Sequence, residues 1–280
     1  MSGADGGPVA EGVLVWAMWS YAANVLNPAQ WLSRAGLLPR RLDGELPPPC
    51  QRHGLGPLFS QQHRRPVLLE KPTDHDHLVE EFDRMAEIYD AFVRPFSTPI
   101  FDEAIAEMRR WLPDNARVLD AGCGAGRELQ RVARLVPNGE VVGLDLSAGM
   151  VAAAWRDARA HGLDHCAFFQ ADVEALPQEF SGAFDMIYSS LAHHHYPDPP
   201  AATREIFRAL RPGGVYAVVD PGPEWFARAS APLAKWADPG WIGFHTPDQF
   251  RGLFAAAGFT CTGSIELLPG MNLSAGQKPL

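Results

Sequence analysis

The sequence predicts an α/β domain wound on both faces of a largely parallel sheet, and three observations carry the prediction. Beyond residue 117, short β-branched and apolar runs alternate with helical stretches at the spacing of βαβ units. The first of those runs ends in a glycine-rich turn, DAGCGAG at 120–126, that leads straight into a helix. Two later helices share one punctuation: Asp198-Pro199 starts one that Gly213-Gly214 closes, and Thr246-Pro247 starts another that ends at Gly258. At 280 residues, 46% hydrophobic and 20% charged, the chain is long enough for one such domain and an added piece.

The added piece comes first. Residues 1–12 are glycine-rich, and from Val13 the apolar positions Leu14, Met18, Tyr21 and Val25 share one helical face while Trp16, Trp19 and Ala23 line another. So wide an apolar band predicts a helix buried on two sides. Asn27-Pro28 stops it and starts a second helix, with Asn27 as N-cap and Gly36 as terminator. Residues 40–66, with five prolines among scattered Gly, His and Gln, have loop composition. The reading is a helical cap with a Pro-rich linker over 1–72, then the main domain over 73–280.

Within the main domain, 73–94 reads as a helix ended by Arg94-Pro95, and Thr98-Pro99 opens another that runs to Pro113. Seven strands follow, at 117–120, 140–145, 167–170, 184–189, 215–220, 260–267 and from Met271, with helices between them, the first over 128–136.

A net charge of −9 argues against a polyanionic partner, and the basic residues form only pairs such as Arg109-Arg110, so no nucleic-acid contact is expected. The four cysteines, Cys50, Cys123, Cys166 and Cys261, make no C-x-x-C pair and read as reduced thiols. The apolar run 13–26 is too short to span a membrane and has no basic residue before it, so no membrane span is expected and the cytoplasm is the default.

Glycines in the turn let the backbone take positive φ and let a ligand approach without meeting a Cβ, at a helix N-terminus with free N–H groups. A dinucleotide fingerprint would place glycine at 127, where the chain has Arg127; the pattern is D-x-G-x-G-x-G instead. Ligands of open α/β sheets sit beyond the carboxyl ends of the strands. The residues there are Asp120, Asp145, Asp172 just past the third strand, and Ser189-Ser190. Asp145 can accept both hydroxyls of a ribose diol or cap a helix, though Ser147 is better placed to cap.

DAGCGAG, GLDLS, FDMIYSSLAHHHYPD and LRPGG followed by VYAVVD, in that order, resemble the motifs of class I S-adenosylmethionine (SAM) dependent methyltransferases, near the ubiquinone-, menaquinone- and small-molecule-methylating members. The resemblance covers about 73–280. It implies a Rossmann-like, seven-stranded, mostly parallel sheet whose last strand runs antiparallel, with SAM as cofactor and a small molecule as acceptor. It places Gly122, Cys123, Gly124, Gly126, Leu146, Met150, Ser189 and Ser190 around the cofactor. Asp145 then reads the ribose, Asp172 the adenine amino group with Val173 against the ring and Ala171 also at the cofactor, and Asp120 orients the loop and meets the ammonium, directly or through water. Tyr89 is a candidate to touch the methionine arm, with core packing the competing reading.

His193, His194 and His195 invite a metal, but three consecutive side chains point in different directions, so none is assigned. His194 is the candidate to face the pocket as base or hydrogen-bond donor. Aromatics in the cap (Trp16, Trp19, Tyr21, Trp31) and after the fifth strand (Trp225, Phe226, Trp236, Trp241, Phe244) are candidates to wall an acceptor pocket. Methyl transfer to a small molecule is the first reading. A cyclase acting on SAM alone, as azetidine-2-carboxylate synthases do, is the second; a SAM-binding scaffold is the third, and a NAD(P) enzyme is disfavoured by the glycine spacing.

Overall fold

In the computed structural model the described residues are 42–49, 66–68, 79, 89–222 and 240–280, with side chains left out at 42–43, 68 and 89–96. The cap helices expected over 13–26 and after Asn27, and the aromatics Trp225, Phe226 and Trp236, lie outside them.

All seven strands read from the sequence form one sheet: β3 Arg117–Ala121, β4 Glu140–Asp145, β5 Cys166–Gln170, β6 Phe184–Ser190, β7 Leu210–Pro221, β8 Thr260–Leu268 and β9 Met271–Gln277. Two short edge strands extend it to nine. These are β1 Leu42–Gly44, antiparallel to β8, and β2 Val67–Leu68, parallel to β5. The order is β1-β8-β9-β7-β6-β3-β4-β5-β2, and β9 runs antiparallel to both β7 and β8. Residues 42–44 correct the loop reading of 40–66: two or three residues are too few to show a period, so only the pairing partner reveals such a strand.

Burial on both faces explains the near-continuous apolar strands. Val118, Val141, Phe168 and Met186 point into one core layer, and their neighbours Leu119, Val142, Phe169 and Ile187 point into the other.

The helices are α1 Tyr89–Met108, α2 Arg127–Leu135, α3 Ala148–Ala160, α4 Pro199–Ala209 and α5 Pro247–Ala257. Their caps follow the sequence signals. The side chains of Ser147, Asp198 and Thr246 accept from the backbone N–H groups of Met150, Ala201 and Gln249, and Gly258 closes α5 at φ 99°. Two expectations fail. The break at Arg94-Pro95 is absent, and α1 continues through Pro95 and Pro99. Full burial of Phe101, Ala104 and Met108 holds its second half in place, so tertiary packing overrides the local breaker. Gly213-Gly214 do not end α4, which stops at Ala209. They form an irregularity inside β7, where pairing with β6 skips from Phe184↔Leu210 to Met186↔Val215.

At the amino ends of the strands, Asp185 accepts the Arg117 backbone N–H at 2.7 Å and pairs with the Arg211 Nε at 2.5 Å, both side chains of the ion pair being buried. That network ties β3, β6 and β7 together at the edge opposite the site.

Candidate cofactor site

The glycine turn takes the backbone shape its composition predicts, with φ of 86° at Gly122, 50° at Gly124 and 81° at Gly126. The three glycines answer three demands. A Cβ on Gly122 would come within 2.6 Å of the Ala192 Cβ, and one on Gly126 within 2.8 Å of the Ala154 Cβ. A Cβ on Gly124 would meet nothing within 4 Å, because this residue fronts an open cavity. The turn is pinned to the tip of β4. Gly122 and Cys123 donate to the Leu144 carbonyl at 2.8 and 2.9 Å, and Gly124 donates to Asp145 Oδ2 at 2.8 Å. The other carboxylate oxygen, Asp145 Oδ1, accepts the Ser147 N–H at 2.9 Å. Asp172, at the mouth beyond β5, accepts the Glu174 N–H at 2.8 Å.

Ten of the residues singled out in the sequence line this one cavity: Gly122, Cys123, Gly124, Asp145, Leu146, Met150, Ala171, Asp172, Val173 and Ser190. Burial pushes the Cys123 thiol well up, which suits packing and not nucleophilic use. Four others stand behind the wall. Asp120 is 2% exposed and its Oδ2 accepts the Tyr188 hydroxyl at 2.7 Å; burial drives its carboxyl well above the carboxylate range. Gly126 packs on α3, as its Ala154 contact shows. Ser189 is fully buried beside the Tyr196 hydroxyl, which lies 3.0 Å from its Oγ and donates to the Ala121 carbonyl at 2.7 Å. His194 is the fourth. The backbone of Tyr89 opens α1, and its side chain is outside the described ones.

The histidine turn, a short 3-10 segment His193–His195, sends its rings three ways. His193 is buried among Tyr196, His245 and Phe250, with centroids 4.8–5.1 Å away and no partner for either ring nitrogen among the described residues. His194 does not line the cavity; its Nδ1 sits 2.7 Å from Asp220 Oδ1 in a buried pair. His195 is the ring that lines the cavity. Position along a 3-10 turn, which the sequence does not show, decides which of three adjacent rings faces inward.

Sequence reading also missed Ser97, Arg127, Glu128, Leu191 and Tyr196, all of which line the cavity. Leu191 could have been found only from backbone geometry: it follows β6 at φ 52°, a conformation few non-glycine residues adopt. The described lining holds three carboxylates, Asp145, Asp172 and Glu128, against one guanidinium, Arg127. That balance suits a cationic ligand better than a pyrophosphate.

A family profile described as a methyltransferase domain matches residues 112–250. Trans-aconitate 2-methyltransferase from Deinococcus radiodurans is 42% identical over 106 residues, which is 38% of either chain. Malonyl-acyl-carrier-protein O-methyltransferase from Dechloromonas aromatica is 35% identical over 183 residues, 62% of this chain and 65% of that one. Residues 112–250 thus form a methyltransferase domain of the class I SAM-dependent superfamily. A superfamily structure from Aquifex aeolicus has the same fold, with a TM-score of 0.56 at 19% identity over 71% of this chain and 97% of that one. This methyltransferase-like chain thus spans 38% to 65% of the length of the curated relatives named here.

The residues present fit the superfamily's cofactor on the structure's own terms. Gly124 leaves open the space that a side chain would fill, and a carboxylate stands at each of two adjacent strand tips, β4 and β5. Both carboxylates are hydrogen-bond acceptors, the chemistry that a ribose diol and an exocyclic amine call for.

Proposed function

We propose that this protein is a SAM-dependent methyltransferase that methylates a small molecule by in-line displacement at the sulfonium. The observation that supports it best is the pairing of the open face at Gly124 with Asp145 at the same turn. In this reading Asp145 holds the ribose diol, Asp172 the adenine amine with Val173 and Ala171 against the ring, and Leu146 and Met150 complete the nucleoside wall. Bound SAM supplies an electrophilic methyl group that needs no further activation. What the chain contributes is placement of the acceptor about 3 Å from that carbon and exclusion of water. Where the acceptor carries a proton, His195 is the imidazole among the described lining residues positioned to take it, and the His194–Asp220 pair braces the turn behind it.

The relatives' names make unsaturated di- and tricarboxylates and acyl-carrier-bound malonyl groups the first acceptors to try. Calorimetry with SAM should give micromolar or tighter binding that Gly124→Val abolishes with the fold intact; binding retained by that variant would contradict the loop assignment. Product analysis separates the reactions. S-adenosylhomocysteine formed only with an acceptor supports methyl transfer, whereas stoichiometric methylthioadenosine from SAM alone would replace it with the cyclase reading. Binding without either product would leave the scaffold.

A further inference from the structure

We propose that Glu128 is the residue that binds the ammonium group of SAM's amino-acid arm, an assignment that rests on the cofactor reading above. The arm carries an ammonium and a carboxylate beyond the sulfonium, a net positive charge, so an ammonium partner of negative charge is called for at its end of the cavity. The superfamily resemblance gives that task to Asp120. The structure takes Asp120 out of reach: it is 2% exposed, does not line the cavity, and is already engaged by the Tyr188 hydroxyl.

Topology sorts the remaining carboxylates. Asp145 and Asp172 come from β4 and just past β5, on one side of β3 in the sheet, and serve the nucleoside. Glu128 stands in the first turn of α2, the helix that rises from β3 itself, and it lines the same cavity. It stands on the same β3–α2 connection that Asp120 opens, across the glycine turn, which puts it at the Asp120 end. Its carboxylate is held by its own backbone N–H at the helix start and by the Ser97 hydroxyl, and Arg127 and Arg131 lie within electrostatic reach. Even so, burial raises its pKa. A carboxylate held in place yet short of compensating charge is what an incoming ammonium relieves.

The test compares three ligands by calorimetry on the whole chain: SAM, S-adenosylhomocysteine and 5′-methylthioadenosine, the last of which lacks the amino-acid arm. Glu128→Gln should weaken the first two by about tenfold or more and leave methylthioadenosine within about twofold, and Glu128→Asp should recover part of the loss. SAM binding to the unmodified protein, followed across a pH series, should release protons where the raised Glu128 carboxyl titrates, seen as a heat that depends on the buffer's ionisation enthalpy, and Glu128→Gln should diminish that release. Unchanged SAM affinity in Glu128→Gln would overturn the assignment. So would equal weakening of methylthioadenosine, which would mark a structural role. Unmodified protein that binds none of the three ligands overturns the cofactor reading itself, and this assignment with it.

Discussion

In the proposed reading, one side chain, Asp145, carries two tasks. Its oxygens accept the Gly124 and Ser147 N–H groups at 2.8 and 2.9 Å, and each oxygen of a carboxylate has a second lone pair for a ribose hydroxyl. Asp145→Ala should therefore cost about 2–4 kcal/mol of SAM binding, roughly a 30- to 700-fold rise in Kd by calorimetry. Asp120 behaves differently. Its folded pKa lies above the ordinary value, so the folded state holds more protons than the unfolded one, and stability declines as pH rises from about 3.8 through the folded pKa. Asp120→Asn, which keeps an acceptor for Tyr188, should raise the melting temperature at pH 8 and lose that advantage as pH falls towards 4.

The sequence carried the glycines, the Asp145 and Asp172 tips and the caps, because each is a local rule of backbone or charge. It did not carry the depth of Asp120 or the choice of His195 over His194. Both depend on what packs against a residue from distant segments, such as Tyr188 at 68 positions away and Asp220 at 26.

At the scale of elements, the histidine turn is clasped by the segment leading into α5. Ile242 donates to the His194 carbonyl at 2.8 Å, Phe244 packs on His194, and His245 and Phe250 pack on His193. Burial holds His193 well below its ordinary value near 6.5, aided by the nearby His245 and His194 rings. The folded state thus binds fewer protons than the unfolded one, so this stabilisation is present above pH 6.5 and is lost as pH falls through the folded pKa. His193→Phe should flatten the fall in denaturation midpoint between pH 7 and pH 5; an equally steep fall would place the sensitive group elsewhere. The unbroken α1 carries the matching lesson for helices: Pro95 and Pro99 signal breaks locally, but buried side chains three turns long decide the outcome.

For the whole molecule, the sheet separates a stability edge from a ligand edge. The buried Asp185, shared by the Arg117 backbone and the Arg211 side chain, lies at the amino ends of the strands, away from the cavity. Asp185→Ala would remove the carboxylate paired with the buried Arg211 guanidinium and the acceptor of the Arg117 N–H, and should cost about 3–5 kcal/mol of unfolding free energy with SAM affinity unchanged in the folded fraction. Denaturant titration alongside calorimetry would check both halves. The seven strands were legible as alternation of β and α signals, whereas the two edge strands were not, since two or three residues carry no rhythm of their own.

The bond from Gly124 to Asp145 has a kinetic meaning as well. A cradle latched by the protein's own hydrogen bond offers a guest a fixed floor, so in the proposed cofactor reading loading requires no folding of the glycine turn and its entropy has been spent in advance.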